Sequence, residues 1–265
     1  MMADDQYRIY MIRYARSDRN RPDNFYGGDP HDTPMPIDYF NWVITNGARS
    51  YVVDTGFDAD SATRRKRELL KPVGEGIKAV GLNPDTVSDV ILTHMHYDHA
   101  GNSDLFPHAR YHVQECEMSF VTGKCMCHEL LRHPFEEEDV VSMVRKVFAG
   151  RVEFYDGSMD VAPGISVHHI GGHSRGLQAV RVNTERGPVV LASDAAHYYE
   201  HFEQDRAFAV FENLTELLEG YRTLRRLAPT DRHIVPGHDP EVFKRYPAAE
   251  GMDGWAVRVD LEPNR

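Results

Sequence analysis

A chain of 265 residues with 41% hydrophobic and 27% charged residues has the material for a sizeable core and is not disordered. Its 30 basic and 41 acidic residues give a net charge of −11, which speaks against nucleic-acid binding, because phosphate backbones reward clustered Lys and Arg. A small anionic substrate stays open, since a metal can supply local positive charge. Three cysteines form an odd set without a disulfide framework. The start from Met1 to Asp5 is polar, and no apolar run approaches the ~20 residues that span a bilayer, so the expectation is a cytoplasmic protein with no membrane contact. No linker divides the chain, and residues 1–265 are expected to form one domain.

In chain order, residues 7–17 read as an opening strand, followed by a Pro/Gly-rich surface loop over 21–36. Runs 39–45 and 50–54 form a hairpin around Asn46-Gly47, a strong turn dipeptide. Asp60 or Ser61 caps a helix running to Leu70, where Pro72 stops it. Its Arg64, Arg65, Lys66 and Arg67 read as a solvated face rather than an anion patch. Short strands are predicted over 87–93 and 109–114, with an irregular stretch over 115–135. A helix over 136–148 follows, with Val140, Met143, Val144, Val147 and Phe148 on one face. Four β runs come next, over 151–154, 165–170, 178–183 and 188–192. The spacing then predicts a helix over 213–228 with Leu214, Leu217, Leu218, Tyr221 and Leu224 inward, and a last strand over 233–235.

The chain holds 15 histidines, and the informative ones cluster. His94, His96, Asp98 and His99 fall within six residues after an apolar strand. Alternation along a strand sends His94 and His96 to one side, while Asp98 and His99 occupy the turn beyond. Imidazole and carboxylate are the usual ligands of zinc and similar metals. Further ligands should stand at the ends of short apolar strands beside glycine, where backbone approaches closely. Three places fit: His173 after Gly171-Gly172, Asp194 after Ala192-Ser193, and His238 after Pro236-Gly237.

The run His94-x-His96-x-Asp98-His99 followed by His173, Asp194 and His238 resembles the metallo-β-lactamase superfamily. Asp54 in Val53-Asp54-Thr55-Gly56 is similar to the end of an early strand below that family's site. The resemblance implies an α/β fold, a four-layer αβ/βα sandwich of two mixed sheets, with two divalent metal ions at one edge, Zn2+ in the first instance. It implies that His94, His96 and His173 hold the first ion, that Asp98, His99 and His238 hold the second, and that Asp194 bridges them. Coordination lowers the pKa of bound water from about 15.7 to about 7, and a metal pair can polarise a carbonyl, which is machinery for hydrolysis.

Within the superfamily, β-lactamases commonly lack the bridging aspartate and some use a cysteine ligand. Here Asp194 is present, and Cys116, Cys125 and Cys127 lie away from the ligand positions. Glyoxalase II thioester hydrolases usually carry Gly-Asp-Thr-Leu-Phe at the bridge, where this chain has Ser193-Asp194-Ala195-Ala196-His197. The quorum-quenching N-acyl homoserine lactonases are most similar, through Val53-Asp54-Thr55-Gly56, the segment to Gly101, Gly172-His173-Ser174, Asp194-Ala195 and Gly237-His238-Asp239. The expected activity is the opening of a small-molecule lactone, with thioester hydrolysis and a non-catalytic, metal-stabilised signal-binding module as alternatives. A homodimer is compatible with this resemblance. Many of these lactonases have a tyrosine three residues after the bridging aspartate; here it is His197, with Tyr198 and Tyr199 beside it. The candidate catalytic residues are Asp98, Asp194 and His197, and the candidate substrate contacts are Tyr97, which sits between two ligands, His197 and Tyr198. Another small lactone fits the residues equally well. Cys125, Cys127 and His128 lack a partner pair and read as a reduced loop. His168 and His169 read as bystanders on a strand. The 25–35 loop, the 120–135 segment and residues 198–202 supply apolar material for a pocket wall.

Overall fold

A computed structural model of the chain describes residues 5–264, so the polar start lies outside the described residues apart from Asp5. Strands β1 (Arg8–Ser17), β2 (Ile37–Thr45) and β3 (Ser50–Val53) form an antiparallel meander. The sheet continues in parallel through β5 (Asp89–Ile91), β6 (Arg110–Gln114) and β7 (Val152–Tyr155). The two-residue β4 (Glu68–Leu69) pairs with β1. A second sheet runs β12-β11-β10-β9-β8, from β8 (Met159–Ala162), β9 (Ile165–His169), β10 (Gln178–Thr184) and β11 (Gly187–Ser193), which are antiparallel, to β12 (Ile234–Pro236), which is parallel to β11. β13 (Ala256–Arg258) closes the other edge of the first sheet against β1. Both sheets are therefore mixed, as expected.

The two-residue period of the strands builds the layers. Ile9 and Met11 of β1, with Phe40, Trp42 and Ile44 of β2, share a core with Val167, Val180 and Leu191 of the second sheet. The alternate residues, Ile12 and Tyr14 with Tyr39 and Val43, pack on the other side with Ile77 and Met143 of helices Val73–Ala79 and Glu137–Phe148. Helix Leu214–Leu227 contributes Leu217, Tyr221 and Leu224 to the second sheet's core. Asn213 caps it, accepting from the Thr215 and Glu216 amides. Leu218 and Phe148, read as core-facing, are exposed. Among the described residues no helix is long and apolar enough to cross a membrane.

Several expectations are corrected. The helix read to Leu70 ends at Arg65, because Lys66 turns left-handed (φ 55°) and the chain peels away to pair as β4. Arg65 is not a solvated residue. It donates to Glu136 (2.8 Å) and to the His133 and Phe135 carbonyls, and it lies over the Tyr97 ring. The stretch over 115–135 is mostly helical, with turns Glu115–Val121, Lys124–Cys127 and Glu129–Arg132. His233 belongs to a short 3-10 turn, so β12 starts one residue later. The 21–36 loop is anchored: Arg21 and Arg206 both pair with Asp29 and Glu200.

Candidate metal centre

The ligand-type residues stand at carboxyl ends of strands, on the edge where the sheets meet. β5 ends at Ile91, so His94 and His96 lie beyond the strand rather than in it, and His96 opens the helical turn Tyr97–Ala100 that carries Asp98 and His99. Their convergence is thus set by that turn: the His94 ring is 4.4 Å from the His96 ring and 4.2 Å from that of His99. Asp194 follows β11 through Ser193, held at φ 46°, an uncommon left-handed conformation for a non-glycine residue. His238 follows β12 through Gly237. A Cβ there would lie 2.6 Å from the Ser193 backbone and 2.9 Å from Asp194 Oδ1, so only glycine lets the two strand ends meet. Gly172, before His173, is likewise pressed against the Leu217 backbone.

His94, His96, His173 and Asp194 bring donor atoms together in one group, and Asp98, His99 and His238 in a second, all within 4.8 Å of one another in each. Asp194 lies between them. Its Oδ2 is 3.1 Å from His173 Nε2 and 3.9 Å from His94 Nε2; its Oδ1 is 3.0 Å from His238 Nε2 and 3.3 Å from His99 Nε2. One carboxylate therefore presents an oxygen to each group. Asp98 Oδ2 sits 3.6 Å from His99 Nε2 and 3.7 Å from His238 Nε2.

The opposite ring nitrogens are committed elsewhere. His99 Nδ1 meets Asp54 at 2.7 Å, His173 Nδ1 donates to the Val210 carbonyl at 2.7 Å, and His238 Nδ1 donates to the Asp38 carbonyl at 2.7 Å. Each bond occupies Nδ1 and leaves Nε2 as the nitrogen that faces the cluster. His94 Nε2, His99 Nε2 and Asp194 Oδ1 are buried without a hydrogen-bond partner, an arrangement that is costly unless an ion takes them up. Burial pushes His94 and His96 well below the usual imidazole range, keeping them neutral as ligands must be. Burial pulls His99 down as well, yet Asp194, Asp98 and Asp54 outweigh it and raise it. Burial would raise Asp194, but His238, His99 and His197 hold it well below the carboxylate range. The donor set and its charge fit a pair of divalent cations.

Two buried carboxylates brace the ligands. Asp54, itself at φ 61°, accepts from the Thr93 amide and hydroxyl and from His99. Glu117 accepts from the Met95 amide (2.8 Å), the Ser174 hydroxyl (2.6 Å) and the Gly176 amide (2.7 Å), tying the first ligand turn to the loop of His173. Glu117 lies in the stretch that reads as irregular; its one signal in the sequence is an acid three and four residues before Phe120 and Val121, on their buried helical face.

The remaining site candidates fall as follows. Tyr97 is buried, with its hydroxyl between Arg67 (3.1 Å) and Tyr39 (3.4 Å). Tyr198 is buried and donates to the Pro36 carbonyl at 3.1 Å. His197 turns inward, with Nε2 3.1 Å from Asp194 Oδ2. His168 and His169 bind Ser166, Ser158 and the Arg175 carbonyl instead. Phe135 meets the His96 ring edge-on at 4.5 Å, and Phe208 stacks on His197 at 3.8 Å. A narrow cleft of about 40 Å³ reaches His96 and His173 between Phe120, Leu131, Phe135 and Val210. Phe135 also borders a cavity of about 520 Å³ lined by Val121, Met126 and Val140.

The sequence pattern of the metallo-beta-lactamase superfamily matches residues 39–245, a stretch that holds all seven ligand-type positions. The chain belongs to this superfamily. Among its relatives, an N-acyl homoserine lactonase from a Bacillus species is 31% identical over 168 residues, covering 62% of this chain and 61% of that protein. This chain thus spans about three-fifths of that relative's length. The N-acyl homoserine lactonase AttM of Azorhizobium caulinodans is 27% identical over 242 residues, covering 84% of this chain and 89% of that protein. The superfamily fold is also seen in the crystal structure of a quorum-quenching N-acyl homoserine lactone lactonase, with a TM-score of 0.73 at 23% identity, covering 88% of this chain and 92% of that one. A homologous hydrolase with N-hexanoyl-L-homoserine at its catalytic metal center superposes with a TM-score of 0.76 at 21% identity, covering 92% and 98%.

Proposed function

We propose that this superfamily member is a dinuclear metal-dependent hydrolase that opens a lactone ring, of an N-acyl homoserine lactone or another small lactone. The observation that carries the reading is the Asp194 carboxylate, one oxygen toward His173 and the other toward His238. The choice of lactone over other hydrolysable substrates rests on the similarity to lactonases along 84% of the chain. Two bound divalent ions, with zinc the first candidate, would supply a hydroxide nucleophile at neutral pH and polarise the lactone carbonyl. His94, His96 and His173 would hold one ion, Asp98, His99 and His238 the other. Asp54 and Glu117 hold these side chains in register, so that little reorganisation is needed on binding. Tyr97 and Tyr198, the candidate substrate contacts, are buried with their hydroxyls bonded to Arg67 and to the Pro36 carbonyl. Phe135, Phe208 and Val210 exclude water beside His96 and His173 and offer apolar surface to a substrate side chain. The test is a metal count on the purified chain together with turnover of a panel of small lactones and thioesters. Two ions and lactone-selective turnover are expected; a fully active preparation with one tightly bound ion, or turnover of thioesters alone, overturns the reading.

A further inference from the structure

His197 follows Asp194 by three residues, and its ring is buried rather than turned outward. Its Nε2 is 3.1 Å from Asp194 Oδ2, the distance that also separates His173 Nε2 from that oxygen. Donor atoms of Asp194, His197 and His238 lie within 4.8 Å of one another, a third buried group of metal-ligating type. Among the described residues, Asp194 is the only hydrogen-bond partner of the His197 ring. Phe208 lies flat against that ring at 3.8 Å and fixes its plane, while the His173 and His238 rings flank it at 5.3 Å and 5.0 Å. A histidine that served only as a donor to substrate would aim its nitrogen at the cleft; this one aims it at the shared carboxylate.

We propose that His197 is an eighth protein ligand of the metal pair, bound beside the Asp194 carboxylate that the two groups share. The inference rests on the dinuclear reading above. Imidazole nitrogen is a regular ligand for zinc-type ions, so His197 adds a donor to those the seven ligand-type positions supply. His96 and His173 line the cleft, and His197 does not.

The experiment compares zinc-loaded wild type, His197→Ala and His197→Gln by elemental analysis after exposure to a chelator, by chelator competition for the weaker ion, and by the visible spectrum of the cobalt(II)-substituted chains. Gln can still donate an N–H toward Asp194 but brings no imidazole. The expected result is two ions in wild type and about one in both variants. The weaker ion's affinity should fall more than ~100-fold in both, beyond the roughly 10–100-fold that loss of an outer hydrogen-bond partner costs, with a changed cobalt spectrum. Retention of both ions at wild-type affinity in His197→Gln overturns the proposal and leaves His197 as a hydrogen-bond donor. Retention in His197→Ala leaves it as a wall. If His197→Ala does not fold, the Gln variant decides. A wild type that keeps two ions but opens no lactone overturns the proposed function and leaves this inference standing; a wild type that holds one ion overturns both.

Discussion

On the floor of the cluster, His99, His173 and His238 each commit the nitrogen facing away from the other ligand-type residues to a buried carboxylate or a backbone carbonyl at 2.7 Å. On the wall, Phe135 and Phe208 meet the neighbouring histidines only through ring edges and faces, and the two segments that complete it expose Leu130 (87%) and Val210 (41%). Directional bonds to buried partners hold an atom to a fraction of an ångström; apolar contacts hold a shape and tolerate exchange of one side chain for another. Under the proposed function the chemistry belongs to the floor and substrate selection to the wall, and mutations in the two regions should fail in different ways.

The largest effect is expected at the shared carboxylate. Asp194→Asn keeps the volume but loses the charge that lets two cations sit close together. It should release one ion on elemental analysis and lower kcat beyond the roughly 100–1000-fold that attends loss of a single oxyanion donor. Next, His173→Ala and His238→Ala should each cost far more activity than His168→Ala or His169→Ala. Equal losses at His169 and His173 in a side-by-side assay would break the assignment of the third ligand. One layer further out, Asp54→Ala removes the partner of His99 Nδ1 and of the Thr93 amide. Metal affinity should drop about 10–100-fold in a chelator titration. Glu117→Ala strands the Met95 and Gly176 amides and the Ser174 hydroxyl, and denaturant unfolding should show a loss of a few kcal/mol, about 1–3 for each buried group left unpaired. The smallest effect belongs to the wall: Leu130→Ala should leave the metal content and kcat unchanged and shift KM for apolar-chain lactones by less than about tenfold. A change in metal content there would erase the distinction between floor and wall.

The ligand turn from His94 to His99 is legible in the sequence because four donors in six residues leave little else for that segment to be. Layering is legible too, because alternation in β1 and β2 sends Ile9 and Met11 one way and Ile12 and Tyr14 the other. The end of the helix at Arg65 is less so: no residue there forbids continuing, and pairing of Glu68 and Leu69 with β1 outcompetes further helical turns. Glu117 is hidden for a related reason. A carboxylate in a short amphipathic run reads as solvated until three donors, from chain positions 95, 174 and 176, close on it.

The residue types that can hold metal, and the strand ends that carry them, can be read from the chain, since ligand chemistry and side-chain alternation are local properties. That Asp194 stands between the two groups, that His197 faces it, and that Gly237 brings His238 within 3.0 Å of its oxygen are visible only in the folded molecule. Those facts depend on how closely two sheets approach at one edge, a distance set by the packing of the core between them rather than by any run of neighbouring residues.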